Sequence, residues 1–316
     1  MPEQKRNFFV LFVSAIAVAL VAFAALPGHS QSSPKVESRD AATQQVEVSK
    51  TKLTALTRPK TVGTTATGAQ GFLAAATQNA ALRNNLMWAF GGKQQRGWYL
   101  YMPLIKRLLG TDAAPDSSEF ALALSRWQSG AALTPSGVLD SDTLYKMVET
   151  WQSRRIKQRS YPQPDQLVTV PASEFWDATR PEELRKVERE AYAAYKRMVA
   201  AASLDPSLKL AVTKQGELAP EEKFLKIISA FRSREYQEQL RRQSPNAGRA
   251  GLAVNSPHFT ARALDIYVGG DPVDTKDANR AIQINTPVYQ WLVKNAERFG
   301  FYPYYYEPWH WEYRAH

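Results

Sequence analysis

Two stretches decide how this chain reads: Ser256-Pro257-His258-Phe259-Thr260-Ala261-Arg262-Ala263-Leu264-Asp265-Ile266-Tyr267-Val268, and Glu307-Pro308-Trp309-His310-Trp311-Glu312-Tyr313. In the first, Asp265 lies seven residues after His258 and enters the β-prone run 263–268. A carboxylate inside an apolar strand is expensive unless it is paired or ligates a cation. In the second, Pro308 forbids a continuous helix, so Glu307 and His310 do not share one helical face. They bracket the entry to a strand predicted over 309–313. Each stretch therefore puts a histidine and an acid at the edge of an apolar strand.

Working outward, helical periodicity returns around these strands. Residues 182–201 form a strongly amphipathic segment with charges of both signs on its wet face. Further helices are predicted over 220–228, 233–242 and 287–299, and a strand over 208–212. Helices among a few short strands specify an α+β domain, a small antiparallel sheet with flanking helices, rather than a doubly wound sheet. That domain is assigned residues 171–316.

Upstream, helical spacing appears at 72–81, 101–109 and 119–128, and Asp140 or Ser141 is placed to cap a third helix of a small module, through Met147 and Trp151. The helix ending in Arg126-Trp127-Gln128, the loop through Leu133, Gly137 and Leu139-Asp140, and Thr143-Leu144 follow one another in a recognisable order. Over about residues 95–152 this order resembles the peptidoglycan-binding domain of the small three-helix type, which implies a wall-binding module preceding the α+β domain. Its bounds are set at 76–152. Arg154, Arg155, Lys157 and Arg159 then lead into Tyr161-Pro162-Gln163-Pro164, and 153–170 reads as a linker.

The N-terminus has an export pattern. Lys5 and Arg6 precede an uncharged apolar run from Phe8 to Leu26, ended by Pro27-Gly28. Residues 1–30 are a signal peptide or a membrane anchor, the run being long for the first and nearly long enough for the second. Residues 31–75 have the Ser, Thr and Gln-rich composition of a flexible linker.

Of 316 residues, 44% are hydrophobic and 22% charged, so the chain has material for a real core without disulfides. It contains no cysteine, which excludes thiol nucleophiles and cysteine-ligated metals. Only four histidines exist, His29, His258, His310 and His316, so any imidazole chemistry draws on that short set. The net charge of +10 is concentrated upstream: residues 31–170 carry 17 basic and 10 acidic groups, and residues 171–316 carry 21 and 19. Such an excess suits an anionic wall polymer, and export argues against a nucleic-acid partner.

Two histidines and one carboxylate leave a tetrahedral zinc one position open to water, the catalytic rather than the structural arrangement. A second carboxylate that does not touch the metal can accept the water's proton and pass it to a leaving amine, and Glu307 is suited to that work. An arginine would stabilise the oxyanion. Taken singly, each signal has an ordinary structural explanation, such as an ion pair for Asp265 or a strand-end carboxylate at Glu307.

Taken together, Ser-x-His, an Asp seven residues later, Glu-x-x-His near the C-terminus and an upstream aromatic-Arg-Ser segment at Phe231-Arg232-Ser233 resemble the VanY-type zinc D-alanyl-D-alanine carboxypeptidases over about residues 180–314. The resemblance implies that His258, Asp265 and His310 bind one zinc ion. It makes Glu307 the catalytic base and then acid, and Arg232 the group that steadies the substrate carbonyl. Ser256, and less directly Gln237, would line the substrate subsite. Two positions depart from the pattern: Ala261 stands where glycine is usual, and Pro257 where an acid is frequent. An alanine at 261 would be strained if the turn there demands a positive φ.

The implied activity is hydrolysis of the D-Ala–D-Ala bond in peptidoglycan stem peptides, by a protein of the periplasm or cell envelope whose partners are stem peptides and glycan. An endopeptidase acting on another stem or cross-bridge bond is the near alternative. A non-catalytic wall-binding protein is the distant one, and would be marked by a missing ligand or base.

Overall fold

Asp140 Oδ1 accepts a hydrogen bond from the Thr143 amide at 2.9 Å and so starts the helix Ser141–Ser153. The computed structural model describes residues 69–243 and 253–315. The signal or anchor expected at 1–30 lies outside the described residues, as does the linker expected at 31–75 except for 69–75, which are helical. Among the described residues no helix is long and apolar enough to cross a membrane. All of them fall within one compact unit, Val62–His316.

Four helices come first: α1 (Leu73–Asn85), α2 (Met102–Leu109), α3 (Ser118–Gly130) and α4 (Ser141–Ser153). Between α1 and α2 lies a hairpin of β1 (Met87–Phe90) and β2 (Lys93–Arg96), turned by Gly91-Gly92 at positive φ. Periodicity alone missed it. The motif residues that ordered this region in sequence are joined in space. Gln128, 1% exposed, accepts from the Gly137 amide at 2.8 Å and donates to Val138 O and Thr143 Oγ1 at 3.0 and 2.9 Å. Gly137 sits at φ +70°, where a Cβ would come within 2.8 Å of Ala121 O. A buried amide thus pins the α3–α4 loop, a glycine lets it pass, and every polar atom of the crossing is satisfied.

Next come β3 (Leu167–Thr169) and β4 (Lys186–Glu188), an antiparallel pair, and then α5 (Arg189–Ser203). The helix predicted from 182 therefore begins seven residues late, because 186–188 are paired with β3. The helix predicted over 220–228 does not form. Leu225 adopts a positive φ of 66°, and β5 (Ile227–Ser229) joins the sheet. The strand predicted over 208–212 reduces to a bridge of Val212 with Leu218, after a left-handed Lys209.

The remaining elements are α6 (Arg234–Gln243), β6 (Ala263–Ile266), α7 (Asp277–Ile284), α8 (Pro287–Asn295), β7 (Phe301–Pro303) and β8 (His310–Tyr313). The main sheet runs β5-β6-β8-β7, antiparallel throughout. The fold is α+β, and every residue of β6 and β8 is buried.

One core runs through the whole described unit. The loop Tyr304–Tyr306, just before Glu307, packs its rings on the helical segment: Tyr305 lies 5.0 Å from Phe90, 5.5 Å from Tyr101 and 5.8 Å from Trp151, by ring centroids. Buried Arg280 of α7 donates to the Tyr101 hydroxyl at 2.9 Å. A buried large aromatic removes about 150–250 Å² from water, roughly 4–6 kcal/mol by area. The segment leading to Glu307 is therefore held from behind by α2, α4 and the hairpin.

Candidate metal centre

Strand register brings the acid and one histidine together. Asp265 of β6 pairs with His310 of β8 on one side and Ser229 of β5 on the other, so their side chains share a face across three strands. His258 arrives from a short 3₁₀ turn, Pro257–Thr260, in which Ser256 Oγ accepts from the His258 amide. The turn closes with Ala261 at φ 54°, ψ 14°, the left-handed conformation that glycine would adopt without cost. Its carbonyl accepts from the Glu188 amide at 3.0 Å, which holds the alanine there. An Ala261→Gly variant should be more stable by about 0.5–1 kcal/mol, the αL penalty less the extra chain entropy of glycine. Thermal or urea unfolding tests this, and an unchanged or lower midpoint would show the turn to be unstrained.

The donors converge. His258 Nε2 lies 3.3 Å and His310 Nδ1 2.9 Å from Asp265 Oδ1, and one ligand atom from each of the three residues falls within 4.8 Å of the others. All three side chains are buried. Each imidazole has its other nitrogen committed. His258 Nδ1 meets Ala230 O at 2.7 Å, and His310 Nε2 meets Glu312 Oε1 at 3.2 Å. An imidazole that donates through one nitrogen presents the other as a lone pair, the orientation that metal-ligating histidines adopt. The set therefore fits a borderline-soft divalent ion on two nitrogens and one oxygen.

The electrostatics differ at the two rings. Burial, with the Arg232 cation close by, pushes His258 down to about 4. Burial acts the same way on His310, but its hydrogen bonds to Asp265 and Glu312 outweigh it and raise that ring to about 9, so a cation bound at Nδ1 would take the place of a proton there. Burial would raise Asp265, yet His258, His310 and Arg232 keep its carboxyl well below the usual range. Glu307 goes the other way: it lines the same cavity, and burial lifts its carboxyl to about 8.

Arg232 donates to Asp265 Oδ2 at 2.6 Å, to Ser229 Oγ at 3.1 Å and to Gln237 Oε1 at 3.3 Å. Three of its five N–H groups are thus engaged while the side chain still lines the cavity. Ser256 lines the cavity as well. Gln237 does not: its amide is spent on Arg232 and, at 3.0 Å, on Ala253 O. It steadies the arginine and does not face the cavity.

Two participants escaped the sequence reading. Glu312, fully buried, accepts from Arg155 Nε at 2.8 Å, Arg155 Nη2 at 2.5 Å and the Ile156 amide at 2.7 Å, besides facing His310. Its carboxyl is held down at about 2: burial opposes this, and His310 and Arg155 prevail. A signal for it existed, since two residues on from a histidine in a strand is the same face. Arg155 had none. It comes from the segment expected to be a linker, and stacks over the Tyr304 ring with its guanidinium carbon 3.9 Å from the centroid.

Residues 184–316 match the family model described as VanY, D-alanyl-D-alanine carboxypeptidase. The matched span contains Arg232, His258, Asp265, Glu307, His310 and Glu312, and starts after Arg155. No curated protein matches the chain.

Proposed function

We propose, from the membership of residues 184–316 in the VanY D-alanyl-D-alanine carboxypeptidase family, that this chain is a zinc-dependent peptidase removing the terminal D-alanine of peptidoglycan stem peptides. The observation that carries the reading is the convergence of His258 Nε2, Asp265 Oδ1 and His310 Nδ1 beside a buried, cavity-facing Glu307. Zinc held by those three atoms would supply Lewis acidity to a substrate carbonyl and to the water that attacks it. The protein's own groups supply the rest. In its ionised form Glu307 takes the proton from the water and delivers it to the departing amine, a task that suits a carboxyl whose pKa burial raises to about 8. Arg232, rigidly held by Ser229 and Gln237, directs its remaining N–H groups to the carbonyl oxygen as charge develops there. Ser256 lies within the same wall and contacts the bound peptide.

We place the enzyme outside the cytoplasmic membrane, on the strength of Lys5-Arg6 and the apolar run that follows. In the same proposal, the segment containing α1–α4 assists retention on the wall.

Incubating the full chain with defined muropeptides, with and without chelator, tests the reading by product mass. A product shorter by one D-alanine, lost on chelation and restored by zinc, is the expected result. Products unaffected by chelation would overturn the metal mechanism, and cleavage at another bond would reassign the specificity.

A further inference from the structure

The cavity that holds the metal ligands, about 340 Å³ in volume, is lined by four arginines: Arg155, Arg159, Arg180 and Arg232. Two are electrically satisfied, Arg232 by Asp265 and Arg155 by Glu312. The other two are not. Arg159 donates to the carbonyl of Asn255, and Arg180 to Leu184 O and Ser229 Oγ at 3.3 and 3.5 Å. Neither takes part in an ion pair among the described residues, and both are half-buried. Burial, the largest influence on each, pulls both guanidinium groups below their ordinary value. A guanidinium cannot escape such a site by shedding its proton, so a partly desolvated one without a carboxylate is poised for an external anion.

The two cations stand on different walls. Arg159 is tied to Asn255, next to Ser256, with Arg155 and Glu312 as its charged neighbours. Arg180 is tied to Ser229 of β5, with Arg232 and Tyr236 beside it and the carboxylates of Asp265 and Asp177 near but not in ion-pair contact. Both precede residue 184, where the family match begins. They are additions of this chain's own upstream segment to the cavity. A volume of 340 Å³ is roughly 7 Å across, the length of two extended residues.

We propose that Arg159 and Arg180 bind two separate carboxylates of one substrate: the peptide's C-terminus and an acidic side chain close to it on the acyl side of the scissile bond. The inference rests on the peptidase reading above and deepens it, selecting stem peptides with a dicarboxylic residue just before the D-Ala-D-Ala pair. Peptides with a neutral or basic residue there fill the same cavity but leave one arginine unpaired, which penalises their binding.

The test separates binding from turnover. The zinc-loaded full chain with Glu307→Gln is titrated calorimetrically with three pentapeptides ending in D-Ala-D-Ala. One carries a dicarboxylic residue at the third position, one is the same peptide as its C-terminal amide, and one carries lysine at the third position. Adding Arg159→Gln or Arg180→Gln should weaken the dicarboxylic peptide about 10- to 100-fold. Each variant should match its parent on one of the two altered peptides, a different one for each arginine. Unfolding midpoints equal to the parent's exclude a folding defect. Equal losses on all three peptides, no loss on any, or both arginines mapping to one carboxylate would overturn the proposal. Should the pattern appear while the Glu307-intact protein releases no D-alanine, the bond assignment falls and the carboxylate sites stand.

Discussion

Glu307→Gln is expected to lower D-alanine release by about 10²- to 10⁴-fold, the range that a positioned general base and acid contributes. Glutamine keeps the shape and the buried position of Glu307 but can neither take a proton from water nor return one to the amine. The ligand atoms on His258, Asp265 and His310 are untouched, so zinc content should remain one ion per chain. That pairing of lost turnover with retained metal distinguishes a proton carrier from a residue that merely holds the loop. The loop has other anchors: the Glu307 amide donates to Tyr304 O at 3.1 Å, and its carbonyl accepts from the His310 amide at 2.9 Å. A glutamine at 307 leaves both in place. Undiminished release by the zinc-loaded variant would remove Glu307 from the mechanism.

Breaking the Arg155–Glu312 pair is expected to weaken zinc binding about 10- to 100-fold, as loss of an outer partner of a metal-ligating histidine does. Glu312→Gln deprives His310 Nε2 of a charged acceptor and leaves the Arg155 fork without its carboxylate, although the side chain still fits. Arg155→Met acts from the other end. It leaves Glu312 fully buried with the Ile156 amide and His310 as its remaining partners, and uncompensated buried charges of this kind cost about 3–5 kcal/mol. Arg155→Lys should fall between, because an ammonium cannot reproduce two N–H bonds in one plane. Competition against a chromophoric chelator measures the affinity directly, and unfolding with and without zinc separates it from stability. Affinities within twofold of the natural chain in both Arg155→Met and Glu312→Gln would show that His310 needs no outer support.

The two variants also probe how far the site extends. Arg155 lies outside the matched span of 184–316, and so do the rings of Phe90, Tyr101 and Trp151 that back the Tyr304–Tyr306 loop. The sheet supplies Asp265 and His310 and a 3₁₀ turn supplies His258, while the upstream segment packs behind the Tyr304–Tyr306 loop and brings the Arg155 countercharge to Glu312.

Particular residues show what was legible from sequence and what was not. His258 and Asp265, and Glu307 and His310, were legible only in combination, because either spacing alone has an ordinary structural explanation and it is their joint order that resembles the family pattern. Asp140 was legible as a cap, since capping depends on neighbours three residues away. Residues 220–228 failed as a helix for the opposite reason: Ile227 pairs with Ile266, nearly forty positions on, and that pairing overrides a local preference. Likewise 186–188 left a strongly helical run to pair with 167–169.

The sequence by itself determined the α+β class, singled out His258, Asp265, Glu307 and His310 through their resemblance to a family pattern, and marked Ala261 as strained should its turn demand a positive φ. Only the tertiary structure decided that Gln237 turns to Arg232 rather than to the cavity. It also recruited Arg155, Arg159 and Arg180 from upstream and made Glu312 the outer partner of His310. Those contacts join residues tens to more than a hundred positions apart, or depend on which neighbour fills the space between strands. Burial then sets their energetic weight, because a charge removed from water must find its partner wherever the fold brings one.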